Sequence, residues 1–218
     1  MTSFTVEVVA DLVSKNYSLF FFFTIWSNML TWVYFLLKLV YVLHTRRQKN
    51  TVLMVEGKEA SFLDSSKART RYEGFLTYLG FVTTVSMVLV GVVFWTMLSW
   101  GCKWYFPKTC YLIADHLIAP VAKVIDFVLY SPTEYNVKLA VGVSIAFPLF
   151  YYVLSILLGL YVTGWFPYWF MNPLRTSWTM IVVWFVVLLL VFLCFDWIFI
   201  TLSRKMEKRK NPAVVSLV

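Results

Sequence analysis

Apolar residues in this chain come in long runs separated by charged or polar segments. Five runs are long enough to cross a bilayer as helix, which takes about 20 apolar residues. They cover 17–43, 74–98, 109–130, 139–163 and 176–202. The pattern predicts an all-α fold, a polytopic transmembrane helical bundle of five spans forming one domain over 17–202. Residues 1–16 are too short and too charged to span and are expected to form a short interfacial segment. Residues 203–218 read as a basic C-terminal tail.

Composition makes lipid the solvent of this chain. Of 218 residues, 61% are hydrophobic, 20% are aromatic and only 14% are charged, with a mean hydropathy of +0.75. A soluble domain of this length has too little interior to hide so much apolar surface. A secretory signal peptide is not expected either, because the first run is too long and is followed by Lys38, Arg46 and Arg47 in place of a small-residue cleavage site.

The net charge of +8 does not mark a nucleic-acid partner, because the basic residues lie in segments where topology accounts for them. The first connection carries Arg46, Arg47, Lys49, Lys58, Lys67, Arg69 and Arg71. The third carries Lys138, and the tail carries Arg204, Lys205, Lys208, Arg209 and Lys210. The opposite side has only Lys15, Lys103, Lys108 and Arg175. Thirteen against four puts the tail on the cytoplasmic or equivalent side and the N-terminus outside. The expected location is an integral, multi-pass one, with membrane lipids as partners.

Polar residues inside the runs are then the candidates for chemistry, since ionisable groups at that depth are costly unless they face a bundle interior or a wet cavity. Asp115 and His116 stand side by side in the third run. Counting from the outer ends of their spans, Thr24 and His116 each lie seven residues in, roughly 10 Å deep. Ser27 and Asn28 follow Thr24 on the same helical face. Such a face ordinarily serves as interhelical hydrogen bonding, and Asp115 with His116 is open to the same reading as a satisfied buried pair.

A second tier near the inner surface comprises Lys38, Lys123, Asp126 and Asp196. Two positive and two negative charges at one depth read as a compensated structural network. Pro148 should kink the fourth span, with Ser144 or a neighbour satisfying the carbonyl it frees. The aromatic loop 163–173 belongs to the outer interfacial belt and is placed to roof a lipid-accessible pocket. Cys102 and Cys110 flank the short outer connection and form a candidate disulfide if that side is oxidising. Cys194, within the fifth span, reads as a small apolar filler. No metal-ligand spacing appears, and no cofactor is implied.

Several of these segments resemble a known family. Phe22-Phe23-Thr24-Ile25-Trp26-Ser27-Asn28 is similar to the Phe-Thr-x-x-Ser-Asn signature of a group of small polytopic membrane proteins. Asp115-His116-Leu117-Ile118-Ala119-Pro120 with Asp126 resembles that group's His-x-x-x-Pro segment and following acid. Phe147-Pro148-Leu149-Phe150-Tyr151-Tyr152 and Thr163-Gly164-Trp165-Phe166-Pro167-Tyr168 complete the order. The group is related to the androgen-induced and androgen-dependent integral membrane hydrolases of fatty-acid esters of hydroxy fatty acids.

The resemblance implies an intramembrane lipid-ester hydrolase with Thr24 as nucleophile and His116 as its base. Ser27 or Asn28 would supply an oxyanion donor, and Trp165 and Tyr168 would contribute from the loop to substrate binding. Asp115 is a poor orienting group for His116, because adjacent helical residues point about 100° apart. The family usually has a further span ahead of the Phe-Thr-x-x-Ser-Asn segment, where this chain has sixteen polar-to-mixed residues. A partner helix would fill that place. The alternative reading is accordingly a non-catalytic lipid-binding or accessory subunit of a larger membrane complex.

Overall fold

A computed structural model describes residues 22–52, 62–101, 106, 108–130 and 136–210. Helix is the only regular structure among them. The elements are α1 (Phe23–Val52), α2 (Phe62–Val93), α3 (Lys108–Ile113), α4 (Ala119–Tyr130), α5 (Val137–Leu158) and α6 (Trp178–Lys210). Three π-helical turns adjoin them: Phe94–Leu98 after α2, Ala114–Ile118 between α3 and α4, and Gly159–Thr163 after α5. The interfacial segment expected for residues 1–16 lies outside the described residues, as does Cys102 of the candidate disulfide.

Among the described residues, four helices are long and apolar enough to cross a membrane: Phe23–Arg47, Arg71–Leu98, Val137–Thr163 and Trp178–Glu207. The third apolar run is helical too, but the π turn at Ala114–Ile118 divides it into a six-residue and a twelve-residue α-helix. The charged flanks are also more helical than expected. α1 continues nine residues beyond Leu43, α2 begins twelve before Gly74, and α6 carries the first part of the basic tail to Lys210. Arg, Lys, Gln and Glu are good helix formers, so leaving an apolar run does not end the helix.

α2 is the central element, packing against α1, α4, α5 and α6. Its hydrophobic stretch is 61% buried within the protein, whereas that of α6 is only 11% buried. α6 consequently presents Val182, Val186, Leu190 and Trp197 outward, a surface suited to lipid and not to water. Cys194 is exposed on the same helix; it is not the interior filler expected. The core joins Phe81, Val85 and Leu89 of α2 to Phe127 of α4, Ala140 and Tyr151 of α5, and Phe192 and Phe199 of α6.

Close helix approach depends on glycine, as is usual where helices associate in lipid by packing rather than by hydrophobic exclusion. At Gly80 a Cβ would meet the Tyr34 ring at 2.9 Å, so the absent side chain lets Tyr34 of α1 lie flat across α2. At Gly159 a Cβ would lie 2.4 Å from Phe166, which folds back from the aromatic loop onto the end of α5. Gly164 then reverses the chain with a φ of 64°.

The inner polar tier divides in two. Lys38 Nζ lies 2.5 Å and Lys123 Nζ 3.3 Å from the carboxylate of Asp126, which also accepts from Tyr34 Oη at 2.8 Å. Asp196 does not join this network as expected. It accepts instead from Ser144 Oγ at 2.7 Å, so the Ser144 hydroxyl is committed across the bundle and not to the carbonyl that Pro148 frees. Equal depth on two helices does not bring side chains together when they face different neighbours.

Candidate functional site

The site begins with a proline. Pro120 has no N–H to give to the carbonyl four residues earlier, that of His116. Trp95 Nε1 donates to that carbonyl instead, at 2.9 Å. The π turn over Ala114–Ile118 accommodates the same interruption, inserting one residue and re-aiming the side chains ahead of it. Gly91 of α2 makes the approach possible, since a Cβ there would lie 3.1 Å from the His116 oxygen and 3.3 Å from Pro120. Phe94 then stacks on the buried imidazole with ring centres 3.8 Å apart.

The ring's two nitrogens have different partners. Nδ1 lies 3.0 Å from the carbonyl oxygen of Leu112, one turn earlier. A carbonyl only accepts, so the proton is assigned to Nδ1 and Nε2 keeps its lone pair. That lone pair faces Thr24 Oγ1 at 3.3 Å, leaving the threonine hydroxyl as the donor. The group that orients the imidazole is therefore a backbone carbonyl. Asp115 is buried beside it on the same turn.

Thr24 occupies the first turn of α1, where backbone N–H groups have no helical acceptor. Phe23 N donates to Tyr168 Oη at 3.2 Å, which ties the start of α1 to the aromatic loop. The Tyr168 hydroxyl is also hydrogen-bonded to the side chains of Thr24 and Tyr151. Tyr151 donates to Tyr168, and the Thr24 hydroxyl lies within reach of both Tyr168 Oη and His116 Nε2. Stacking of Tyr168 on Phe170, with centroids 5.2 Å apart, fixes its ring.

Thr24 also borders an apolar cavity of about 80 Å³. Apart from Thr24 and three tyrosines (151, 152 and 168), the lining is aliphatic, aromatic, methionine and proline. Leu149 and Tyr152 of α5 and Phe185, Leu188 and Leu189 of α6 form one wall, Leu89, Val90 and Phe94 another. His116 lies behind Phe94 and Thr24 and does not border the cavity. Thr24 thus has the imidazole on one side and an apolar space on the other.

Of the residues expected at this site, Thr24, His116 and Tyr168 come together. Trp165 packs edge-on against Phe22 with centroids 5.6 Å apart and stays at the surface, off the cavity. Ser27 and Asn28 are buried below Thr24 and do not line it either. Sequence reading missed the Leu112 carbonyl, Phe94, Trp95 and Tyr151. Only Tyr151 carried a signal, as part of the aromatic run after Pro148. No family model matches the chain, and no curated protein and no solved structure matches it.

Proposed function

We propose that the protein is an intramembrane hydrolase of fatty-acid esters, with Thr24 as nucleophile and His116 as general base. One observation carries the reading: a threonine hydroxyl placed against an unprotonated imidazole nitrogen at the border of an apolar cavity. Threonine is a weak nucleophile without an adjacent base, and a polar pair of this kind is expensive to maintain in hydrocarbon without a use. The resemblance of the segments around Thr24, His116, Pro148 and Tyr168 supports the same chemistry.

In this mechanism the acyl chain lies in the cavity with the ester carbonyl at Thr24. Oγ1 attacks the carbonyl carbon while Nε2 takes its proton. The resulting oxyanion receives hydrogen bonds from Tyr168 Oη and from the Thr24 N–H in the first turn of α1, an arrangement whose single donors are typically worth about 2.7–4 kcal/mol. The bond to the alcohol oxygen breaks, and the alcohol leaves with the proton from Nε2. Water then attacks the acyl-threonine, giving a proton to Nε2, and the fatty acid leaves as Thr24 regains its proton. The Leu112 carbonyl holds the tautomer throughout.

The topology that fits this reading has five spans, the third interrupted, with Thr24 and His116 toward the outer side and the substrate entering sideways between α5 and α6. The test is hydrolysis of a fluorogenic fatty ester by the purified full-length protein. Thr24→Ala and His116→Ala should each reduce turnover to background, and Thr24→Ser should retain it. Undiminished hydrolysis by the double alanine variant would falsify the assignment, and a wild type without hydrolysis would leave a non-catalytic membrane subunit as the better account.

A further inference from the structure

Below Thr24, four polar atoms are buried without a hydrogen-bond partner: Ser27 Oγ, Asn28 Nδ2 and Thr31 Oγ1 on α1, and Ser86 Oγ on α2. None of these residues is more than 7% exposed. They share a level. Tyr34 of α1 lies over Gly80 of α2, and Tyr72 Oη reaches the Leu37 carbonyl at 3.0 Å, so the two helices run antiparallel in that register. Two turns from Tyr34 along α1 comes Ser27, and about two turns from Gly80 along α2 comes Ser86. Thr31 lies one turn from Ser27 toward Tyr34.

Neighbouring hydroxyls behave differently. Thr83 Oγ1 donates to the Leu79 carbonyl at 2.9 Å, and Thr84 Oγ1 to the Gly80 carbonyl at 2.7 Å. Serine and threonine in a helix ordinarily bond back to their own backbone in this way. Ser27, Thr31 and Ser86 do not, and the Asn28 amide nitrogen does not either. They therefore leave unpartnered polar atoms at neighbouring levels of α1 and α2, two helices that pack along a common seam.

We infer that this seam binds a small cluster of water molecules beneath Thr24. The donor set fits water and little else. Three hydroxyls and an amide N–H offer both donors and acceptors, carry no charge to attract an ion, and sit where a water can find the two to four partners that hold it in a protein interior. The cluster stands on the α1 face that continues from Thr24 through Ser27, Asn28 and Thr31, whereas the apolar cavity adjoins Thr24 separately. On the hydrolase reading, which this part of the inference rests on, ester reaches Thr24 through the cavity and water reaches the acyl-threonine from the seam. The water oxygen bonds to the acyl carbon, the bond to Thr24 Oγ1 breaks, and the proton passes through His116 Nε2 to Thr24.

The binding claim is tested without activity, by water-edited solid-state NMR on the full-length protein in phospholipid bilayers. Magnetisation from water should build up at the Asn28 side-chain amide and at Ser86, and not at Thr84, which serves as the dry reference. It should persist in Thr24→Ala. An Asn28 amide as dry as Thr84 overturns the cluster. Delivery is tested by burst kinetics in Thr31→Val and Ser86→Ala. The steady-state rate should fall roughly tenfold with the acylation burst unchanged, and an equal fall in both overturns delivery. If Thr24→Ala hydrolyses as well as the wild type, the hydrolase reading fails, and the NMR result alone decides the water site.

Discussion

The ammonium of Lys123 stands 3.7 Å from the centre of the Tyr34 ring and 3.3 Å from Asp126 Oδ2, in a residue only 1% exposed. A buried cation survives there because it has both an aromatic face and a carboxylate. Removing a partner is the costly change: Asp126→Asn withdraws the carboxylate from Lys38 and Lys123 together. A loss of about 3–5 kcal/mol is expected, read as a lower midpoint in denaturing-detergent unfolding. Asp126→Asn with Lys123→Met should regain most of it, because no charge is then left buried at position 123. A single variant as stable as the wild type would show that the carboxylate is dispensable.

Asp196 should respond in the opposite sense. Its Oδ1 accepts from Ser144, while its Oδ2 is buried with no hydrogen-bond partner. Asp196→Asn keeps an acceptor for Ser144 and removes the charge that burial penalises. Stability in the same unfolding assay should be unchanged or higher. A marked loss would mean that the carboxylate has a role its contacts do not reveal.

Gly91 tests the placement of His116 without touching either reacting group. In Gly91→Ala the new methyl meets the His116 carbonyl at 3.1 Å, tighter than ordinary contact, and α4 must move away from α2. The neighbour has to give by a few tenths of an ångström, against about a hundredfold in rate for a full 1 Å at a catalytic group. Turnover should therefore fall severalfold, roughly, with little change in the unfolding midpoint. Full activity in this variant would mean that the segment carrying His116 and Pro120 has room to adjust.

Tyr168→Phe removes the hydroxyl that receives Phe23 N and meets Thr24. The ring can still stack on Phe170, so the loop should keep its place. On the oxyanion role, kcat should drop about a hundredfold or more with KM nearly constant. A rise in KM at constant kcat would instead assign Tyr168 to binding.

How much of this was legible in the sequence depends on which coordinate a residue's role requires. Run length and charge fix depth along the membrane normal, and depth alone put Thr24 level with His116. The same argument grouped Asp196 with Lys38, Lys123 and Asp126, because depth says nothing about the direction a side chain faces around its helix. That azimuth comes from packing, here from Gly80 and Gly91, whose importance is visible only once their neighbours are known. Tyr34 was within reach, since it precedes Lys38 by four residues on one helical face. The Leu112 carbonyl was not, because any residue can supply a backbone oxygen. Pro120 was read as part of a motif, whereas its effect is on the backbone of His116.

The π turn at Ala114–Ile118 gives the interrupted helix of residues 108–130 two independent azimuths. The extra residue rotates everything on its outer side by about 100° relative to a continuous helix, so His116 and the Lys123–Asp126 network can each face its own partners. Deleting one residue within the turn would restore a smooth helix and improve its local hydrogen bonding. It would also turn one of the two polar groups away from its partners, so this helix gives up regularity in order to serve two differently oriented sites.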